Sequence, residues 1–313
     1  MNALLFPGQG SQIVGMGLEF YKNFNLVKNI FKLADDKLNY PISKIILEGP
    51  EAELQLTQNT QPAILTVSYS IFKVLKEEFN FNFNDFKYFA GHSLGEYSAL
   101  VCANAISFED ALYLLHERGK AMQEAVPLGD GSMIAVLGAK IGEVKDLINV
   151  INKKDGICEI ANDNAEGQVI LSGNKEKMKS IQQILKDKKL KSIPLKVSAP
   201  FHCSLMKPAA EIMKDKIIST KFKDPSFQII NNVTAKEQKN PEKIKNLLIE
   251  QIYSTVRWRE SIIYMYSNKI INFVEIGPGK VLSGMVKRTV KDVNCFSINS
   301  ITDIKNLGNE FKK

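Results

Sequence analysis

The chain has 313 residues, 44% of them hydrophobic and 24% charged, a balance that excludes a disordered tail or a fibre. Its 41 Lys and Arg stand against 34 Asp and Glu, a net charge of +7. The excess is spread along the chain, which suits an acidic partner and forms no block that would argue for nucleic acid. At roughly 100 to 200 residues per domain, the length fits two domains or one with a large insertion.

Residues 2–6 form a short apolar run stopped by Pro7-Gly8, which predicts a buried strand and a glycine-rich turn. No basic leader region precedes it, and no apolar run approaches the ~18 residues of a membrane span; the chain is expected in the cytoplasm, away from membranes. Apolar spacing from Pro62 onward predicts a helix over 62–79 with proline in its first turn. A strand at 87–90, a tight turn at 91–95 and helices at 96–103 and 107–124 follow, with Ser107 as N-cap.

Between 127 and 197 the texture changes. Strands are expected at 132–138, 157–161, 168–172 and 190–197, with helices at 141–151 and 174–189. This βαββαβ order is the ferredoxin-like pattern, and it predicts a small subdomain inserted into a larger domain made of 1–126 and 198–313. Strands at 228–231, 272–275 and 295–297, and helices at 241–252, 257–267 and 279–290, complete the larger domain as α/β with a mainly parallel sheet.

The sharpest motif is Gly91-His92-Ser93-Leu94-Gly95, a GxSxG between strand and helix. In that setting it is a nucleophile elbow, its glycines permitting a strained turn and its helix aiming amides at the reacting oxygen; outside that setting it is an ordinary Gly-rich turn. A serine hydroxyl needs a base, and His is the usual one. Of the three histidines, His92 is held beside the nucleophile and His116 sits mid-helix, where a packing role fits. His202, in a loop at the exit of the subdomain, is the candidate base. Arg118 is either an exposed or ion-paired helix residue or, with Gly119 allowing close approach, a bidentate clamp for a substrate carboxylate.

Two phosphate-loop look-alikes fail. Gly8-x-Gly10 has Ile13 where a dinucleotide loop needs glycine, and Gly279-Lys280 has Val274 and Val281 where a P-loop needs Gly and Ser or Thr. No His, Cys, Asp or Glu cluster has metal-ligand spacing, so no metal is expected. Cys102, Cys158, Cys203 and Cys295 form no CxxC pair and are expected to be free thiols.

Residues 6–12 (FPGQGSQ), 91–97 (GHSLGEY), Arg118-Gly119, Pro200-Phe201-His202, 251–253 (QIY) and 275–279 (EIGPG) occur in that order. Taken together they strongly resemble the malonyl-CoA:acyl-carrier-protein transacylase family over nearly the whole chain. The resemblance implies an α/β-hydrolase-like core with a ferredoxin-like subdomain and a site in the cleft between them. It implies Ser93 as acyl nucleophile, His202 as base, Arg118 as malonyl clamp, and the Gln9 and Leu94 amides as oxyanion hole. Gln251 would orient His202 through its main-chain carbonyl, with His92, Asn162 and Phe201 as further pocket residues. Around Asn162 the family's usual Ser-Pro is replaced by Ala165-Glu166. Phe201 and Leu94 resemble members that take malonyl rather than methylmalonyl groups.

The implied substrates are malonyl-CoA and an acidic acyl carrier protein bearing phosphopantetheine, bound transiently, with no bound cofactor and the enzyme a monomer. Lys186 to Lys191 and Lys287-Arg288 are candidate docking residues. A serine thioesterase or esterase using the same elbow, and a noncatalytic carrier-binding subunit, are the rival readings.

Overall fold

The computed structural model describes residues 1–151, 156–195, 197 and 199–310. Leu4, Leu5 and Phe6 are wholly excluded from solvent, and their strand β1 (Asn2–Phe6) lies in the middle of the main sheet. An apolar run buried on both faces is the mark of a parallel strand covered by helices. The chain then passes through α1 (Leu18–Asn23), α2 (Asn25–Leu38), α3 (Ile42–Glu48), α4 (Glu51–Gln55) and α5 (Thr57–Glu77). Next come β2 (Phe86–Gly91), α6 (Gly95–Cys102) and α7 (Phe108–Glu124). Ser107 caps α7 by accepting from Asp110 N at 3.0 Å.

The second unit contains β3 (Gly131–Leu137), α8 (Ile141–Ile151), β4 (Cys158–Ala165), β5 (Gln168–Asn174), α9 (Lys175–Asp187) and β6 (Lys191–Pro194). They form a four-stranded antiparallel sheet in the order β4-β5-β3-β6. The strand expected over 190–197 is shorter; Lys196 within it and the boundary residue Ser198 lie outside the described residues. The chain returns through α10 (Lys207–Ser219), β7 (Gln228–Ile230), β8 (Glu237–Gln238), α11 (Pro241–Gln251), α12 (Trp258–Ser267), β9 (Asn272–Ile276), α13 (Val281–Thr289), β10 (Asn294–Ile298) and α14 (Ile301–Glu310).

The main sheet has the order β10-β9-β1-β2-β7-β8. The first five run parallel and only β8 is antiparallel to its neighbour. The expected α/β class with a mainly parallel sheet is therefore the observed one. Parallel strands end on the same side, so the loops after β1, β2 and β7 gather at one edge, where open α/β sheets build their sites. Segment 254–256 pairs with β4 and ties the second sheet to this edge: Val256 N donates to Ala161 O (2.9 Å), Asp163 N to Val256 O (3.0 Å), and Arg259 grips Asp163 with both ends of its guanidinium.

The helix expected from Pro62 starts five residues earlier, at Thr57. Pro62 has no N–H for the Gln58 carbonyl one turn back. That oxygen instead accepts from His116 Nδ1 of α7 at 3.1 Å, which is how a proline sits inside a helix without leaving an orphan acceptor. The two helices meet closely there. A Cβ on Gly119 would lie 2.4 Å from Gln58 Cα, so Gly119→Ala is expected to destabilise the fold by about 2 kcal/mol or more. An unchanged denaturant midpoint would show that the helices can part at no cost.

Candidate active site

The elbow is built by packing. A Cβ on Gly91 would come within 1.9 Å of the Gly95 carbonyl carbon, and one on Gly95 within 2.2 Å of Phe6 O. These glycines permit the strained turn through the space they leave, and neither has positive φ. Ser93 itself does, with φ 53°. The glycines clear space for the tight strand-to-helix crossing, and the non-glycine strain falls on the nucleophile, at roughly 1–2 kcal/mol. Asn232, just past β7, holds this turn by accepting from Ser93 N (2.7 Å) and donating to Gly91 O (2.8 Å).

Ser93 Oγ lies 2.8 Å from His202 Nε2. On the other side of the ring, Nδ1 lies 2.9 Å from the main-chain oxygen of Gln251. A carbonyl only accepts, so Nδ1 carries the proton and Nε2 is the free base facing the hydroxyl. Burial, reinforced by the Arg118 charge, lowers the His202 pKa to about 3, so the imidazole is neutral at pH 7.

Arg118, on α7, is wholly buried. Its Nη1 donates to Gln61 Oε1 (2.6 Å), and its Nη2 donates to Gln251 Oε1 (3.0 Å) and Ser93 Oγ (3.2 Å). Its Nε has no hydrogen-bond partner, and it forms no ion pair among the described residues. A buried guanidinium balanced only by neutral acceptors favours an incoming anion. The reading of Arg118 as an exposed or ion-paired helix residue is thereby excluded.

Leu94 is the N-cap residue of α6 and Gln9 lies in the loop after β1, and both line the cleft with Ser93. Neither backbone amide donates to another described residue. The Gln9 side chain is held by Thr57 Oγ1 at 2.6 Å. The cleft between the two sheets measures about 110 Å³ and takes Arg118 and Gln61 on one side, Asn162, Leu195 and Phe201 on the other. That space suits a short acyl group.

With this geometry goes a sequence match: the model of the acyl transferase domain family covers residues 3–310. The chain belongs to the acyl transferase family. A Bacillus subtilis protein named malonyl CoA-acyl carrier protein transacylase is 43% identical over 298 residues, 95% of this chain and 93% of that one. One of the same name from Haemophilus influenzae is 39% identical over 96% of this chain and 95% of its own. Among solved structures, an acyl-carrier-protein-S-malonyltransferase from Bartonella henselae superposes with a TM-score of 0.96 at 38% identity, covering 100% of this chain and 99% of its own. A complex of a type II PKS acyl-carrier protein with its malonyl-transacylase reaches 0.94 at 38% identity, over 98% of this chain and 99% of that one.

In this acyl transferase His92 does more than flank the nucleophile. Its Nε2 meets Asn164 Oδ1 at 2.8 Å, so the elbow is pinned to β4. Asn162 lines the cleft as expected, but the asparagine that bonds His92 is Asn164, two residues on, where the pairing of β4 with β5 is irregular. Sequence reasoning also missed Gln61, Glu96, Asn231 and Asn232. Each carried a signal: Gln61 and Glu96 are polar residues in apolar helices, and Asn231-Asn232 follows the carboxyl end of a parallel strand. Glu96, on α6, is buried, and burial pushes its carboxyl up to about 7. Among the described residues no group of three or more His, Cys, Asp or Glu is gathered as a metal site. No helix among the described residues is long and apolar enough to cross a membrane.

Proposed function

We infer that the chain transfers a malonyl group from malonyl-CoA to the phosphopantetheine thiol of an acyl carrier protein. One observation carries the reading: a buried, ion-pair-free guanidinium stands 3.2 Å from the nucleophile that a neutral histidine is placed to deprotonate. An acyl group that ends in a carboxylate satisfies Arg118 while its thioester carbon meets Ser93 Oγ.

In the first half-reaction Ser93 Oγ attacks the thioester carbonyl and gives its proton to His202 Nε2. The C–S bond breaks, and CoA leaves as a thiol with that proton. In the second half, the carrier thiol gives its proton to the same nitrogen and attacks the malonyl ester. The Ser93 oxygen takes the proton back as the C–O bond breaks. The Gln9 and Leu94 amides serve the oxyanion of each tetrahedral intermediate, a role worth about 3 kcal/mol per donor. Proton and acyl group balance between Ser93, His202 and two thiols, so the reaction needs no cofactor.

A chain of charge +7 suits an acidic carrier protein, whose encounter it speeds. Lys186, Lys189 and Lys191 line one groove on the second unit and offer it a basic face. On this reading the enzyme works as a monomer, because every group the two half-reactions use comes from one chain. It works in the cytoplasm, where its soluble thioester and carrier substrates would meet it.

Intact mass after brief incubation with malonyl-CoA tests the reading. A malonyl adduct is expected that is absent in Ser93→Ala and moves to carrier protein bearing its phosphopantetheine arm. An adduct lost to water at the same rate without carrier would make the protein a thioesterase, and no adduct would make it a noncatalytic subunit.

A further inference from the structure

Glu96 lies beneath the nucleophile, and its partners all donate. Asn231 Nδ2 reaches its Oε1 at 2.6 Å; Asn232 N and Gln251 Nε2 reach its Oε2 at 3.1 and 2.8 Å. These four residues are buried. An amide has one accepting and one donating end, so a carboxylate facing one end of Gln251 decides where the other points. Here the amide nitrogen goes to Glu96 and Ser93 O (3.1 Å), and the oxygen goes to Arg118 Nη2 (3.0 Å). We propose that Glu96 is a positioning residue for the acyl-group carboxylate: through the side-chain amide of Gln251 it fixes the guanidinium of Arg118. This role is separate from that of the Gln251 main-chain oxygen on His202, and it rests on the malonyl-transfer reading above.

The surroundings say what an amide at position 96 would do. Asn231 cannot turn to accommodate it, because Asn231 Oδ1 already accepts from Val233 N (2.8 Å) and Thr234 N (3.2 Å). At the other end stand Asn232 N, a fixed backbone donor, and Gln251 Nε2, which also donates to Ser93 O and Asn232 Oδ1 (3.4 Å). In Glu96→Gln the new NH2 therefore meets a donor wherever it points, and the Gln251 amide loses the fully accepting partner that fixes its oxygen on Arg118. Adding Asn231→Asp reverses this. The carboxylate so placed at position 231 accepts from the new NH2 at position 96 with one oxygen and keeps the other for Val233 and Thr234. The amide at position 96 then turns its oxygen back to Gln251, as the wild-type carboxylate does.

The readout is the ratio of single-turnover acylation rates with malonyl-CoA and acetyl-CoA at pH 8, with KM and kcat for malonyl-CoA beside it. Glu96→Gln is expected to lower the ratio tenfold or more, mainly through KM, and Glu96→Gln with Asn231→Asp to recover it to within about threefold. A purely structural role would lower both rates together and leave the ratio. Gln251→Met tests the same path without touching Glu96 and is expected to lower the ratio too. A folded Glu96→Gln or Gln251→Met with the wild-type ratio, or a folded double variant without recovery, overturns the assignment. A wild type that takes up no malonyl group overturns the transfer reading and the assignment with it.

Discussion

Arg118→Ala is expected to lose malonyl transfer by about 1,000-fold while acetyl transfer is spared or rises, so that selectivity between the two collapses. The difference comes from where the charge sits. In the wild type the guanidinium is buried and its acceptors are neutral, so a substrate carboxylate gains a charge-assisted, desolvated contact. Acetyl-CoA leaves the same guanidinium without an anion, a mismatch that sites built around polar groups punish heavily. Alanine removes both the gain and the penalty. Single-turnover acylation with each thioester, followed by mass, measures the two rates directly. Equal losses would show that Arg118 supports the elbow through Ser93 and Gln251 and reads no carboxylate. A melting curve of the variant guards against that confusion.

The elbow and the two-sheet arrangement were legible because each lies in local pattern. GxSxG stands between an apolar strand and a helix, and the βαββαβ texture switches cleanly from period 2 to period 3.6. The reason for the glycines was not legible: that Gly95 must leave room for Phe6 O is a contact across 89 residues of sequence. Helices α1, α3 and α4 escaped because five to seven residues carry less than two turns of periodicity. The start of α5 escaped because a proline reads as a helix beginning, and only His116, 54 residues beyond Pro62, takes up the carbonyl that proline frees. Gln251 shows the same limit within one residue. Its main-chain contact with His202 came from resemblance, whereas its side chain's tie to Glu96 and Arg118 depends on where α11 meets α6 and α7, which no local pattern records.

His202→Ala is expected to cut acylation by about a million-fold in a folded protein, the scale on which a serine nucleophile loses its base. A stronger test of the site's electrostatics is the wild type's behaviour in acid. An ordinary histidine, with a pKa near 6.5, would be protonated by pH 4.5 and the rate about 100-fold down. The groups facing His202 are Ser93, His92, Arg118 and, through Gln251, Glu96. Burial and the Arg118 charge hold the imidazole at about 3, and Glu96, pushed up to about 7, stays protonated throughout this window. The acylation rate between pH 6 and 4.5 is therefore expected to stay within about threefold, and a fall that follows a pKa of 6.5 would show that water or the substrate reaches the ring. The same displacement acts on stability. With the folded pKa below the unfolded one, the unfolded chain binds the extra proton as pH drops from about 6.5 toward 3, so this histidine costs stability progressively across that range. Glu96 acts in the opposite sense between about 7 and 4.5, where the folded state holds the extra proton. Denaturant midpoints of wild type and His202→Ala should thus converge or cross as the pH is lowered from 6.5, the alanine variant losing less.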